Sequence, residues 1–186
     1  MASADALPLS ASSSAPFRFW TIERRRRYTF FACAAAAWLA YGSISAWRDR
    51  HAFIINVTDS LPNWAFMVER GRWPAKGEIV VFAAPRNASV LRHFGERPPL
   101  FSKHVLGVQG DTVSRVGTTV YVNGREVART KPVSRLGERL APGPVGVIPK
   151  GCLYAGTSHK DGYDSRYAAI GWVCRKSVVG TGTPVL

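Results

Sequence analysis

The stretch KHVLGVQGDTVSRVGTTVYVNGREVA, residues 103–128, carries the clearest signal of fold in this sequence. Runs of β-branched and aromatic residues, which favour strands, alternate in it with short turn signals. The pair Asn123-Gly124 is typical of a two-residue turn between antiparallel strands, because both residues tolerate a positive φ. This stretch therefore predicts at least three short antiparallel strands.

The same pattern continues on both sides of that stretch. Further strands are predicted in EIVVF (78–82), GCLYAG (151–156) and IGWVCRKSVVGTG (170–182). Residues 130–149 are rich in Pro and Gly without periodicity, which predicts an irregular loop. No second helix is indicated in this part of the chain. The expected fold class is mainly β, a compact antiparallel β-sheet or barrel domain behind one N-terminal helix.

That helix is predicted from residues 28–47, YTFFACAAAAWLAYGSISAW, twenty residues without a formal charge. Such a length just spans a hydrocarbon core of about 30 Å. Aromatic residues lie near both ends, and the run Arg24 to Arg27 precedes it, so the N-terminus is expected in the cytoplasm. The predicted parts are a disordered cytoplasmic N-terminus (1–27), a transmembrane anchor (28–47) and a periplasmic domain (48–186).

A cleaved signal peptide is the alternative interpretation of the apolar segment. The small residues Ser43 and Ser45 before Ala46 fit a cleavage site. Whether residues 1–45 are retained therefore stays open. Both interpretations export the rest of the chain, and they predict a plasma-membrane or periplasmic location.

The composition narrows the range of partners. Lys and Arg number 25 against 12 Asp and Glu, a formal net charge of +13, which favours an anionic surface. Export and the lack of a basic helix or stacked aromatic module argue against nucleic acid, so inner-membrane lipid is the expected anionic partner. No metal or other cofactor is expected, since no metal-binding motif occurs. Cys152 and Cys174 lie in the exported part, where a disulfide is plausible but not decided.

Four short blocks follow the apolar segment in order. They are NVTDSLP (56–62), KGEIVVF (76–82), KHVLGVQGDTV (103–113) and GTSHKDGYDSRY (156–167). Together they resemble the bacterial type I signal peptidases, serine proteases with a Ser-Lys dyad. The resemblance covers about residues 50–182. It implies that the substrate is an exported precursor protein, a preprotein or a pro-pilin.

The resemblance implies that Ser60 is the nucleophile and Lys103 the general base. A serine hydroxyl is a poor nucleophile until a base takes its proton. A lysine can act as that base only when neutral, and burial among apolar side chains lowers its pKa. The apolar neighbours of Lys103 fit this requirement. By the same resemblance, Thr58 and the Ser60 amide form the oxyanion hole, and Asp164 and Arg166 form a supporting salt bridge.

Departures from the family pattern point to one branch. Leu61-Pro62 follows the serine directly, and Gly162 stands where the family has a serine near the lysine. There is also no room for a large inserted second β-domain. These traits resemble the TraF-type peptidases of conjugative transfer, which mature the pilin and in some cases cyclise it. His159 is a candidate for such a branch-specific step.

Three alternatives remain open at this stage. A general signal peptidase would remove signal peptides instead of maturing a pilin. A Ser-His-Asp hydrolase would pair Ser60 with one of the four histidines, of which His159 is the best placed. A non-catalytic β-domain that scaffolds a conjugation pore would keep its function without Ser60. The side chains of Leu61, Trp64 and Phe66 are expected either in a substrate groove or on the bilayer surface.

Overall fold

The computed structural model describes residues 21–55 and 61–185. These contain two helices, α1 (Ile22–Arg50) and α2 (Ala88–Phe94), and eleven strands. The strands are β1 (His51–Ile55), β2 (Ala65–Arg70), β3 (Ile79–Ala83), β4 (Leu100–Val108), β5 (Thr112–Val116), β6 (Thr119–Val122), β7 (Arg125–Arg129), β8 (Gly146–Val147), β9 (Cys152–Gly156), β10 (Val173–Cys174) and β11 (Val178–Pro184). The expectation of a mainly β fold behind one N-terminal helix is confirmed.

Helix α1 contains the whole apolar segment predicted from the sequence. It runs for 29 residues, about 43 Å at the rise of an α-helix. None of its residues is buried by the protein, and its length and composition suffice to cross a membrane. The chain divides into two compact units, Met1–Ile44 and Ser45–Leu186.

The strands form two antiparallel sheets. The larger has seven strands in the order β1-β2-β11-β3-β4-β9-β10, and the smaller has the order β7-β6-β5-β8. The hairpin predicted at Asn123-Gly124 joins β6 to β7, and both residues have positive φ, 49° and 77°. Strand β4 leads into β5 through a turn at Gln109-Gly110, so one continuous stretch of chain links the two sheets.

Strand β4 lies inside the larger sheet, between β3 and β9. Its burial alternates strictly, with Phe101, Lys103, Val105 and Gly107 buried and the residues between them half-buried. Alternate residues of a strand face opposite sides of a sheet. Lys103 therefore shares its face with apolar core residues, and its neighbour His104 faces the other side.

One prediction about local structure is wrong, and one expected loop contains more order than the sequence indicated. Helix α2 was not expected; the side chain of Asn87 caps it by accepting a hydrogen bond from the Val90 N–H at 3.0 Å. Residues 131–140 contain no regular strand, as expected of a loop, but they fold back on themselves as a tight hairpin. Val133 and Arg139 make an antiparallel bridge in it, and Leu140 N–H donates to the Pro132 carbonyl at 2.9 Å. We call this segment the 131–140 hairpin.

The structure also corrects the expectation for the apolar residues near the nucleophile candidate. Leu61 is 5% exposed and Phe66 is fully buried, and both pack with Ile79 in one apolar cluster. Trp64 is 57% exposed. Of the three side chains, only Trp64 is therefore available to a bilayer or a groove, because strand pairing of β2 with β1 and β11 turns Phe66 into the core.

A disulfide joins Cys152 to Cys174, which resolves the pairing that the sequence left open. The two residues lie directly opposite each other on β9 and β10. They pack in an apolar cluster with Ile148 and Tyr154. The bond therefore fixes the short edge strand β10 to the strand that leads to the fourth sequence block.

We predict that denatured, unreduced protein exposes one reactive thiol, that of Cys33, and three after reduction. Alkylation followed by mass spectrometry of the full chain in detergent measures this count. Replacing Cys152 and Cys174 together by Ser should lower the free energy of unfolding by about 3 kcal/mol, since the bond closes a loop of 22 residues. Cys33→Ser is the matched control, with no expected effect. Three thiols before reduction would contradict the pairing.

Candidate active site

Lys103 is the buried cation at the centre of the candidate site. Its residue is 5% exposed, and its Nζ lies 5.9 Å from the centroid of the Phe101 ring. Strand pairing places it opposite Val80, a fully buried residue of β3. The lysine is thus held on a rigid central strand among apolar groups.

This setting lowers the pKa of Lys103 to about 8. The main cause is burial, which disfavours the charged ammonium. The negative charge of Asp164 acts in the opposite direction, and the positive charge of Arg166 lowers the pKa further. A substantial fraction of Lys103 is therefore neutral near pH 8, as a general base requires.

Asp164 and Arg166 form a buried ion pair next to this lysine. Their side chains are 0% and 1% exposed, so this is not a surface pair of little energetic value. Arg166 Nε donates to Asp164 Oδ1 at 2.8 Å and Nη2 donates to Oδ2 at 2.9 Å. Such a two-pronged contact fixes both side chains in one orientation.

The remaining donors of Arg166 connect three segments of the chain. Nη1 donates to the carbonyls of Arg129 and His159, each at 3.2 Å, and Nη2 donates to the carbonyl of Thr157. Asp164 in turn accepts the Thr157 N–H at 3.2 Å. The ion pair therefore shapes the loop between β9 and Arg166, and it attaches that loop to the end of β7.

Gly162 lies against this ion pair. A Cβ at this position would stand 2.8 Å from Asp164 Oδ2 and 2.9 Å from Arg166 Nη2. It would also stand 2.6 Å from the Thr157 methyl group. No larger residue fits here without displacing its neighbours. Close packing therefore explains why a glycine stands where the family has a serine.

A cleft of about 770 Å³ opens beside Lys103. Its aromatic surface comes from Phe94, Phe101, Tyr163 and Tyr167, whose rings contact one another along the chain Phe101-Phe94-Tyr163-Tyr167. Ile54 and Ile55 of β1 and the 131–140 hairpin also line it. The cleft is large enough for several residues of an extended polypeptide.

The sequence did not identify the aromatic surface or the hairpin as parts of this cleft. Tyr163 lies inside the fourth block, so its position near the site could have been predicted from that block. Phe94 belongs to the short helix α2, whose only clear signal is the capping Asn87. The hairpin has no strand-like run to mark it.

Ser60 and Thr58 lie outside the described residues. The next residue, Leu61, is described and packs with Ile79 of β3. Ile79 in turn pairs with His104, the neighbour of Lys103 on β4.

The four histidines occupy different surroundings. His159 lines the cleft, and its Nδ1 accepts the Asp161 N–H at 3.2 Å. His93 lines the cleft too and pairs with Glu138 at 3.0 Å. His104 faces away from Lys103, 3.4 Å from the Gly77 carbonyl, and His51 stacks on Trp47. Within residues 21–55 and 61–185, no group of three His, Cys, Asp or Glu side chains is arranged to hold a metal ion.

Residues 25–186 match the family model described as signal peptidase, peptidase S26. The conjugal transfer protein TraF of Agrobacterium fabrum is 31% identical over 144 residues, which cover 70% of this chain and 80% of that protein. A probable signal peptidase I-2 of Synechocystis sp. is 33% identical over 111 residues, 60% of this chain and 47% of that relative. Among solved structures, a signal peptidase I from Enterococcus faecalis is similar with a TM-score of 0.37 and 24% identity, covering 60% of this chain and 98% of that one.

We predict that Asp164→Asn destabilises the protein by about 3 kcal/mol or more, because it leaves the Arg166 guanidinium buried without its counter-charge. Chemical denaturation followed by Trp fluorescence measures this loss. The matched control is Glu126→Gln, which removes the acid of an exposed ion pair with Arg129 and should cost less than about 1 kcal/mol. Equal losses of unfolding free energy in the two variants would show that the buried Asp164–Arg166 pair matters no more to stability than an exposed pair.

Proposed function

The chain belongs to the signal peptidase family, peptidase S26, and we propose that it is a membrane-anchored endopeptidase with a Ser60-Lys103 dyad. The buried, pKa-lowered Lys103 is the observation that carries this proposal. Family membership implies exported precursor proteins as substrates.

The proposed chemistry is acyl transfer. Neutral Lys103 takes the Ser60 hydroxyl proton while the serine oxygen attacks the scissile carbonyl. The tetrahedral intermediate collapses as Lys103 returns the proton to the leaving amine, and an acyl-enzyme remains. Water then releases the acid, or a second amine forms a new peptide bond. Thr58 and the Ser60 amide are the proposed donors to the oxyanion, and Asp164 and Arg166 hold the loop beside Lys103.

The proposed substrate is a pilin precursor of conjugative transfer. The relative from Agrobacterium fabrum, named a conjugal transfer protein, supports this choice. A general signal peptidase is the second candidate, and the Synechocystis relative supports it. Cyclisation needs an amine that reaches the acyl-enzyme; His159, which lines the cleft, is the candidate residue for this step.

The proposed topology follows from the charge around α1. Arg24 to Arg27 stay in the cytoplasm, residues 28–47 cross the inner membrane, and residues 48–186 form the periplasmic peptidase domain. The Arg-rich start of the anchor contacts anionic lipid in this arrangement. A cysteine-labelling assay on either side of the membrane tests the orientation.

We predict that kcat/KM rises with pH and levels off above about pH 8. The pKa of Lys103 is lowered to about 8, so the base is protonated and inactive below that value and neutral above it. Activity should therefore fall about ten-fold for each pH unit well below 8. A pH profile with a quenched peptide substrate measures this. A rising limb centred near pH 6.5 would instead indicate a histidine base.

We also predict that Ser60→Ala and Lys103→Ala each abolish cleavage, since neither an unactivated serine nor a lone base forms the acyl-enzyme. Mass spectrometry of a co-expressed pilin precursor measures cleavage and distinguishes linear from cyclic products. The matched control is Lys150→Ala, which removes an exposed lysine and should leave cleavage unchanged. Normal processing by either dyad variant would exclude the dyad, and it would favour a scaffold role for the domain.

A further inference from the structure

The 131–140 hairpin and Lys103 border the same cleft. Lys131, Val133, Arg135 and Leu140 line the cleft from the hairpin. The hairpin is internally braced, because Ser134 N–H donates to the Glu138 carbonyl at 2.8 Å and Leu140 N–H to the Pro132 carbonyl at 2.9 Å. It is therefore a formed wall of the cleft.

Asp161 attaches the hairpin to the rest of the domain, and Glu138 of the hairpin lies close to helix α2. Asp161 accepts from Lys131 Nζ, and from Arg135 Nη2 at 2.6 Å. Glu138 lies 3.0 Å from the His93 ring and 3.6 Å from Arg92 on helix α2. These contacts hold the two cations at a defined place along the cleft, on the side of the fourth sequence block.

The charges at this end of the cleft do not balance. Lys131 and Arg135 are two cations against one carboxylate, that of Asp161. The pKa of Asp161 is lowered to about 2, first by the hydrogen bond from Lys131 and then by that from Arg135, so its charge is constant at working pH. Lys131, Arg135 and Asp161 together therefore carry one net positive charge beside the aromatic surface of the cleft.

The cations also retain hydrogen-bonding capacity. A guanidinium has five N–H donors and an ammonium has three, while one carboxylate accepts a limited number. Arg135 is 71% exposed and Lys131 is 42% exposed, so both remain open to a second acceptor. The planar fork of Arg135 suits a carboxylate in particular.

We propose that Lys131 and Arg135 form a carboxylate subsite, which binds an acidic group of the polypeptide substrate while apolar residues lie on the aromatic surface. The acidic group is either an Asp or Glu side chain or the terminal carboxylate of the chain. This inference rests on the proposed peptidase function, because it assigns the cleft to the substrate. A carboxylate bound there neutralises the net positive charge of Lys131, Arg135 and Asp161. It therefore lowers the KM of acidic substrates and favours them over neutral ones.

The test uses the full chain in detergent and quenched peptides with Ala residues around the cut. In one series a single Glu is moved position by position along the peptide, with Gln at the same position as the neutral reference. A second pair carries either a free C-terminal carboxylate or a C-terminal amide, which separates the two sources of the acidic group. We expect one Glu position, or the free terminus, to raise kcat/KM about five-fold, mainly through KM and less at high salt.

Arg135→Gln should remove this preference, so that the ratio of kcat/KM between the Glu and Gln peptides, or between the free and amidated termini, falls to about one. Arg135→Lys, which keeps the charge, should restore part of it. Arg125→Gln is the matched control, since Arg125 is an exposed arginine on β7 in the smaller sheet and outside the cleft lining. Thermal unfolding of each variant identifies any general loss of stability, and an Arg135→Gln variant with the wild-type preference would overturn the proposal.

The outcomes separate this inference from the proposed function. If wild type cleaves the neutral peptides but favours neither any Glu position nor the free terminus, the carboxylate subsite is wrong and the peptidase stands. If wild type cleaves no peptide and leaves a co-expressed precursor intact, both proposals fall. A preference that persists in Arg125→Gln and disappears in Arg135→Gln supports the subsite.

Discussion

The buried ion pair between Asp164 and Arg166 is the interaction on which the arrangement of this domain depends. Removing two charges from water is costly, and the pair recovers that cost only through good geometry and further hydrogen bonds. Arg166 meets the requirement by donating also to the carbonyls of Thr157, His159 and Arg129. The loop after β9 and the end of β7 are thereby held by the same guanidinium. Breaking the ion pair would therefore disturb segments connected to both sheets.

The same pair sets the electrostatics of Lys103. Burial alone pushes this lysine towards its neutral form, and Asp164 opposes that shift while Arg166 strengthens it. Because the two partners are close together, their influences partly cancel. The pair can thus hold the loop beside Lys103 without locking the lysine in its charged state. A lone aspartate at that position would favour the ammonium and work against a general base.

The sequence predicted those parts of the fold whose signals are local. Strand periodicity and Asn123-Gly124 located the central strands and their hairpin, and twenty uncharged residues located α1. Strand β1 was missed, because it follows α1 without a turn signal. The 131–140 hairpin was missed because Asp161, whose carboxylate binds Lys131 and Arg135, is distant from it in the sequence. Lys103 was singled out as the candidate base only through the resemblance of the four sequence blocks. Its burial could not be predicted, because it depends on the packing of β3, β4 and β9.

The departure from the family pattern at Gly162 has a physical reason in the packing of the fourth block. Thr157 stands in the opening of that block, and Gly162 stands where the resemblance places a serine. A Cβ at Gly162 would approach the Thr157 methyl group to 2.6 Å and the Asp164 carboxylate to 2.8 Å. Thr157 is only 2% exposed, so its methyl group is enclosed by neighbours and has no open space to move into. Thr157 and the Asp164–Arg166 ion pair together therefore leave no space for a side chain at position 162, and the glycine follows from the packing of both.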